Sequence, residues 1–244
     1  SPDVQPPPGH ATTAFEAREA HGLVWVRLDA PTAGLPDAPP AFAEAGDAGW
    51  RRVVCGPYAV ATSAPRLVEN FLDLSHFGFV HEGWLGERGH AQVLGGVVSE
   101  SPQGLQVLKA RAWQPRGYAE AGGGAWVDYA YEVPHPYAAL LRKDASDGDP
   151  VRNAIALFIR PDGDEACTAW FVMATQNDRS SDEALVDFQD TVFAQDRPVV
   201  ESQTPKALPI GRTARVAEVH GPADRVSSAY RRYLQRLGIA LGTC

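Results

Sequence analysis

The sequence predicts an α+β fold, an antiparallel sheet with a few long helices gathered on one side of it. Three observations lead there. From residue 50 to 175, short apolar or alternating segments are punctuated by glycine- and proline-bearing turn signals, the pattern of antiparallel strands. Beyond them, 181–203 and 224–237 carry apolar residues at helical spacing. A third helical stretch, opened by Pro65, interrupts the strands and holds most of the chain's candidate chemistry.

In chain order, residues 1–10, with Pro2, Pro6, Pro7 and Pro8, read as an extended lead-in. The run 21–28 reads as a buried strand entered through Gly22, and 31–49, dense in proline and glycine, as a linker. One strand is expected through Arg51, Val53 and Cys55, and a separate one over 58–62. The glycine-rich stretch 82–96 is expected as a loop lying across the functional site. A hairpin is predicted from 97–101 and 105–111, which flank Pro102-Gln103-Gly104. Segment 125–133 alternates as a half-buried strand, and 155–160 and 166–175 form two more around a turn at 161–164. Ser181 or Asp182 caps the next helix, whose apolar face is Leu185, Phe188, Val192 and Phe193 and which Pro198 is expected to kink. Gly238 stops the last helix.

The bulk numbers bound the function. The chain has 244 residues, 44% hydrophobic and 21% charged, which is ordinary globular composition. A formal net charge of −8 argues against a nucleic-acid surface. No apolar run approaches the ~20 residues of a membrane span. Cys55, Cys167 and Cys244 have no metal-ligand spacing and read as reduced thiols, so a cytoplasmic setting is expected.

The chemistry concentrates in residues 69–81, Glu-Asn-Phe-Leu-Asp-Leu-Ser-His-Phe-Gly-Phe-Val-His. On a helix, Asn70, Asp73 and His76 share one broad face, so Asp73 can reach the His76 ring as carboxylates reach metal-ligating imidazoles. His81 lies about 140° from His76 on an ideal helix, so both point at one atom only if the helix breaks. Gly78 is the expected break. Two histidines and one carboxylate with open positions form the facial triad of non-haem Fe(II) oxygenases, and the candidate third ligand is Asp196, in Phe193-Ala-Gln-Asp-Arg-Pro-Val-Val-Glu-Ser-Gln203.

With those residues in place, N-x2-D-x2-H-x4-H followed by F-x-Q-D-x-x-V-V-E-x-Q resembles the catalytic domain of Rieske-type aromatic oxygenases, in the branch of vanillate O-demethylase and dicamba monooxygenase. The resemblance is close over 66–85 and 188–205, looser over 220–234, and vague between. It implies a helix-grip fold with Fe(II) bound by His76, His81 and Asp196. It implies that Asp73, with Asn70 beside it, bridges electrons from a neighbouring subunit's Rieske cluster, within a homotrimer. The implied activity is that of a terminal oxygenase, hydroxylating or O- or N-demethylating an aromatic or similar hydrophobic small molecule with O2. Its electrons would come from NAD(P)H through a reductase or ferredoxin and a [2Fe-2S] Rieske cluster. The cluster's C-x-H and C-x2-H pairs do not occur in this chain. Residues 1–30 are therefore expected to be the last strands of the cluster domain, 31–49 its linker, and 50–244 the mononuclear iron domain. The remainder of the cluster domain is expected to have been truncated or to lie on another subunit.

Phe79, Trp84, Phe188 and Phe193 are candidate walls for an apolar substrate. His90, His135 and His220 are isolated and read as surface or packing residues, and Arg231, Arg232 and Arg236 as a solvated face or subunit contact. No Gly-x-Ser-x-Gly elbow points to nucleophilic hydrolysis. Two competing readings remain: a non-catalytic helix-grip ligand-binding protein, and a hydrolase built on a zinc-activated water.

Overall fold

The computed structural model describes residues 14–28, 35–102, 104–115, 123–145, 151–210 and 216–244. The expected lead-in at 1–10 lies outside them, as does the start of the linker. The centre is a seven-stranded, wholly antiparallel sheet. Its strands are β3 (Arg51–Val60), β4 (Leu94–Ser101), β5 (Gly104–Gln114), β6 (Ala125–His135), β7 (Ala138–Ala145), β8 (Arg152–Gly163) and β9 (Ala166–Gln176), in the order β3-β9-β8-β7-β6-β5-β4. The six strands from β4 to β9 pair in sequence order as a meander, and β3 adds to β9 as an edge strand.

Two differences from expectation concern this sheet. The segments 51–55 and 58–62 are one strand, β3, with a register shift between Cys55 and Tyr58 where Gly56-Pro57 bulges it. The strand β7 was not foreseen. Its apolar run Ala138-Ala-Leu-Leu gives way to Arg142-Lys143-Asp144, so no period of two shows through.

Three helices cover one face: α2 (Ala64–Leu72), α4 (Asp182–Ser202) and α5 (Arg225–Leu237). The main core lies between them and the sheet, with Leu67, Leu185, Phe193, Tyr230 and Tyr233 meeting Tyr131, Leu141, Leu157 and Phe171. Ser63 caps α2 through its hydroxyl, and Ser181 caps α4 in the same way. The latter helix runs on through Pro198 to Ser202, and Gly238 ends α5 in the left-handed conformation. Arg231 of α5 forks onto Glu69 of α2 at 2.7 and 2.8 Å and also meets Glu218, which in turn holds Arg66. Arg231 is therefore a partly buried tie between helices rather than part of a solvated face, while Arg232 and Arg236 reach Glu100 from the surface.

The opposite face is covered too. The short helix α1 (Ala43–Gly46), within the expected linker, sets Phe42 and Ala45 against Leu140, Ala156, Phe158 and Val172. The strand pair β1 (Glu16–Ala20) and β2 (Leu23–Arg27) adds Leu23 and Trp25 to this second core. The expectation of a buried strand is corrected here: alternation gives β2 one packed side and one open side, with Val24 69% exposed. Central strand β8 is buried on both faces from Asn153 to Ile159, as a strand sandwiched between two layers must be. Cys55, Cys167 and Cys244 are free thiols. No helix among the described residues is long and apolar enough to cross a membrane.

Candidate metal centre and adjoining cavity

Helix α2 ends at Leu72, earlier than the even spacing of Asn70, Asp73 and His76 suggests. The cause is Asp73 itself. Its Oδ1 accepts from the backbone N–H of Ser75 at 2.8 Å and from the Ser75 hydroxyl at 2.6 Å, a local turn that competes with further helix. The chain then makes a single turn, α3 (Phe77–Val80), with His76 at its N-cap and His81 at its C-cap. The break that lets both histidines converge therefore lies at 73–76, and Gly78 is inside α3. Gly78 is needed for a different reason: a Cβ there would lie 2.9 Å from the Ala91 Cβ and 3.2 Å from the Glu87 carbonyl oxygen. The expected loop across the site is corrected: Leu94 onward already belongs to β4, and 82–93 packs against the back of α3 in this way, contributing Leu85 to the interior.

The predicted triad assembles. His76 Nε2 and His81 Nε2 are 3.2 Å apart, and Asp196 Oδ1, on α4, lies 3.3 and 3.1 Å from them. His81 and Asp196 are both buried. Asp73 Oδ2 accepts from His76 Nδ1 at 3.2 Å, and Gln195 Oε1 accepts from His81 Nδ1 at 2.8 Å. With the Nδ1 proton of each ring engaged, both Nε2 atoms face the same point. Sequence reasoning gave Gln195 no role, although it stands in the quoted motif. One residue before Asp196 on the helix, it turns about 100° away, enough to reach the second histidine.

Asp196 Oδ1 has no hydrogen bond although it is buried, so the two nearby rings do not satisfy it as donors. Cis ligands about 2.1 Å from one metal lie about 3.0 Å apart, close to these three edges. The donor set, the spacing and the orphaned carboxylate oxygen all fit a divalent cation. Electrostatics agree. Burial pulls the His76 imidazole down, but the Asp196 and Asp73 carboxylates outweigh it and raise it to about 9. Burial pushes the Asp196 carboxyl up, yet the two histidines hold it at about 2. Such a site carries negative charge that a cation can replace the ring proton in balancing.

A cavity of about 70 Å³ opens beside the triad, and a second of about 50 Å³ adjoins it, sharing Phe77, Leu85, Leu141, Ile155, Gln189 and Val192 as walls. Gln189, Phe193 and Asp196 recur at helical spacing, so one face of α4 supplies both cavity wall and triad carboxylate. Of the predicted walls, Phe193 lines the first cavity and Phe188 the second. Trp84 packs on Phe188 with ring centroids 5.7 Å apart. Phe79 is corrected: on the outer side of α3 it is 60% exposed and walls neither cavity. Asn70 lines the first cavity and, among the described residues, its side-chain amide has no hydrogen bond. The larger void, about 400 Å³, lies against Asp73 and Ser75 with Tyr131, Arg225 and Ser227, and contains no triad residue. His90 is exposed beside Glu87, and His135 accepts the Tyr137 N–H; neither approaches the triad.

Sheet, helices and triad define the class: an α+β domain of the helix-grip kind with a 2-His-1-carboxylate constellation between α3, α4 and the sheet. The profile of the vanillate O-demethylase oxygenase C-terminal domain matches residues 60–240, and the chain belongs to this family of Rieske-type oxygenase catalytic domains. It is similar to a probable methylxanthine N7-demethylase (NdmC) of Pseudomonas sp. strain TJI-51, 36% identical over 95% of this chain and 80% of that protein. It is also similar to the methylxanthine N1-demethylase (NdmA) of Pseudomonas putida, 29% identical over 91% of this chain but only 60% of that one. The structure of Pseudomonas putida NdmA with caffeine superposes with a TM-score of 0.76 at 27% identity, over 96% of this chain and 64% of the other. Dicamba monooxygenase bound to dicamba shares the fold, with a TM-score of 0.69 at 19% identity over 91% and 69%. The chain thus spans 60–64% of NdmA, 69% of dicamba monooxygenase and 80% of NdmC.

Proposed function

We propose that the chain is the catalytic domain of a terminal oxygenase that removes a methyl group from nitrogen or oxygen of a flat aromatic ring. The reaction consumes R–CH3, O2, NAD(P)H and a proton and yields R–H, formaldehyde, NAD(P)+ and water. The observation that carries this reading is the convergence of His76 Nε2, His81 Nε2 and Asp196 Oδ1 beside a largely apolar cavity. Bound Fe(II), held by these three residues, supplies the site at which O2 is reduced next to the substrate. The protein's own contribution is positional. Gln195 and Asp73 fix the two rings, Phe193, Leu141 and Ile155 exclude water, and Gln189 offers an amide to a polar ring edge.

Asp73 stands between the His76 ring and the larger outer void, the arrangement a carboxylate needs to link the metal site to an electron donor from outside. In the proposed assembly that donor is a Rieske [2Fe-2S] cluster in the neighbouring subunit of a homotrimer, re-reduced by a reductase. Residues 50–244 are then the iron domain, and the β1–β2 pair belongs with the cluster domain. The similarity to methylxanthine demethylases makes an N-methylated heteroaromatic the first substrate to test.

Metal analysis of anaerobically prepared protein tests the centre. Iron near one per chain is expected, lost in His76→Ala, His81→Ala and Asp196→Ala while the fold persists. Zinc in place of iron, or unchanged iron in those variants, would refute it. Formaldehyde released from caffeine or a methoxybenzoate, with a reductase and a Rieske donor added, then tests the reaction.

A further inference from the structure

The second cavity contains polar groups that the triad chemistry does not use. Lys143 on β7 and Asn153 on β8 are direct cross-strand partners, and Tyr129 on β6 pairs with Lys143 from the other side. Side chains alternate along a strand, so these three share the sheet face of Leu141 and Ile155, each two residues away and each a wall of the triad cavity. A polar row therefore continues an apolar one, and neither Lys143 nor Asn153 lines the triad cavity itself.

Both groups are costly where they stand. Lys143 is 8% exposed and Asn153 6% exposed, in positions where leucine or methionine would pack without desolvating a polar group. Burial pulls the Lys143 ammonium down to about 8, partly offset by the charge of Asp178. Among the described residues the Asn153 side-chain amide has no hydrogen bond, and its atoms are not sealed off from the cavity. The Tyr129 hydroxyl, by contrast, is bonded to the Gln114 amide. An ammonium has three donors and an amide has two, so even with an interior neighbour engaged the pair has donors to offer a ligand.

We propose that Lys143 and Asn153 form an oxygen-binding subsite at the end of the cavity away from the triad, taking a carbonyl or carboxylate oxygen of a flat ring and so fixing which end of that ring faces the metal ligands. This rests on reading the cavity as the substrate site. N-methylated cyclic amides and methoxybenzoates both carry such an oxygen, and the test separates them.

Binding is measured by anaerobic calorimetry on the full chain loaded with Fe(II), using two probe pairs. Caffeine is compared with 7-methylpurine, which lacks the carbonyls, and 4-methoxybenzoate with anisole, which lacks the carboxylate. Lys143→Met and Asn153→Leu are each expected to weaken the oxygen-bearing probe about tenfold or more, the loss of one good hydrogen bond, and to leave its counterpart within about twofold. Equal binding of the oxygen-bearing probes by wild type and both variants overturns the subsite. So do equal losses on both members of a pair, which report a changed cavity shape. Lys143-dependent binding of 4-methoxybenzoate alone keeps the subsite and removes the methylxanthine reading, whereas caffeine bound alike by all three proteins does the reverse. Failure of all four probes removes both.

Discussion

Replacing Gly86 by alanine tests whether the loop behind α3 sets the spacing of the two histidines. A Cβ at Gly86 falls 2.2 Å from the Phe77 carbonyl carbon, 2.3 Å from its oxygen and 2.5 Å from the Gly78 nitrogen. Ordinary contact begins at 3.4 Å, so the two backbones must part by 3.4 − 2.2 = 1.2 Å. The loop cannot simply retreat, because the Gly86 N–H donates to the His81 carbonyl at 3.2 Å and its own carbonyl accepts from Gly83 at 2.9 Å. Phe77 and Gly78 belong to the one turn that carries both histidines, so the strain is delivered to the triad. Overpacking of this kind costs about 1–3 kcal/mol. For a chain of this size that is a fall in Tm of roughly 2–4 °C per kcal/mol. Functional constellations tolerate displacements of about 0.5 Å, and a 1 Å error costs up to about a hundredfold. Iron affinity should therefore drop at least about tenfold, read as iron retained after dialysis against a series of chelator concentrations. Gly89→Ala is the control, since a Cβ there meets nothing within 4 Å. A Gly86→Ala protein that keeps iron and Tm at wild-type values would refute the reasoning.

Gln195→Leu keeps the helix but removes the acceptor for His81 Nδ1, so iron affinity should fall by about 10–100-fold, measured by the same titration; no change would mean that packing alone orients the ring. Asp73→Asn should retain iron, because an amide oxygen still accepts from His76, yet stop turnover in the complete enzyme supplied with reductase; near wild-type turnover would show that electrons take another route. Burial pushes the His135 imidazole down to about 4, whereas in the unfolded chain it titrates near its ordinary 6.5. Below 6.5 the unfolded state binds the extra proton, so His135 costs no stability above that pH and progressively more as pH falls toward 4. The loss is on the order of 3 kcal/mol at most. His135→Asn should flatten that part of the urea-unfolding stability profile, and an unaltered profile would place the acid sensitivity elsewhere.

The legible parts of the site were those whose geometry is local. Asp73, His76 and His81 lie within nine residues, and their meeting depends on one turn of backbone that can be anticipated, even though Asp73's own hydrogen bonds moved the break from Gly78 to 73–76. Asp196 was found because an acid was needed and its surroundings matched a known pattern; nothing in the spacing from His81 gives a distance. Gln195 went unassigned since its partner is 114 residues away. Strand β7 was missed for a related reason: Lys143 stands on an inward face, so a charged residue that lines the cavity breaks the alternation that would reveal the strand. Phe79 and Arg231 reversed in the opposite sense, a ring turned outward and a cation turned inward, because each belongs to a face whose neighbours come from distant segments.

By itself the sequence determined the α+β composition, most strand and helix positions, the cap residues of α4 and α5, and the candidate donor residues of the metal centre. Periodicity of 3.6 or 2, capping and donor type are properties of a few neighbouring residues. Only the tertiary structure decided that α4 brings Asp196 to within 3.1–3.3 Å of both histidines, and that Gln195 and Asp73 hold the two rings from opposite sides. It likewise decided that β7 and β8 set Lys143 beside Asn153. Those contacts join segments far apart in the chain, and their distances are fixed by how the helices pack on the sheet, which local patterns do not encode.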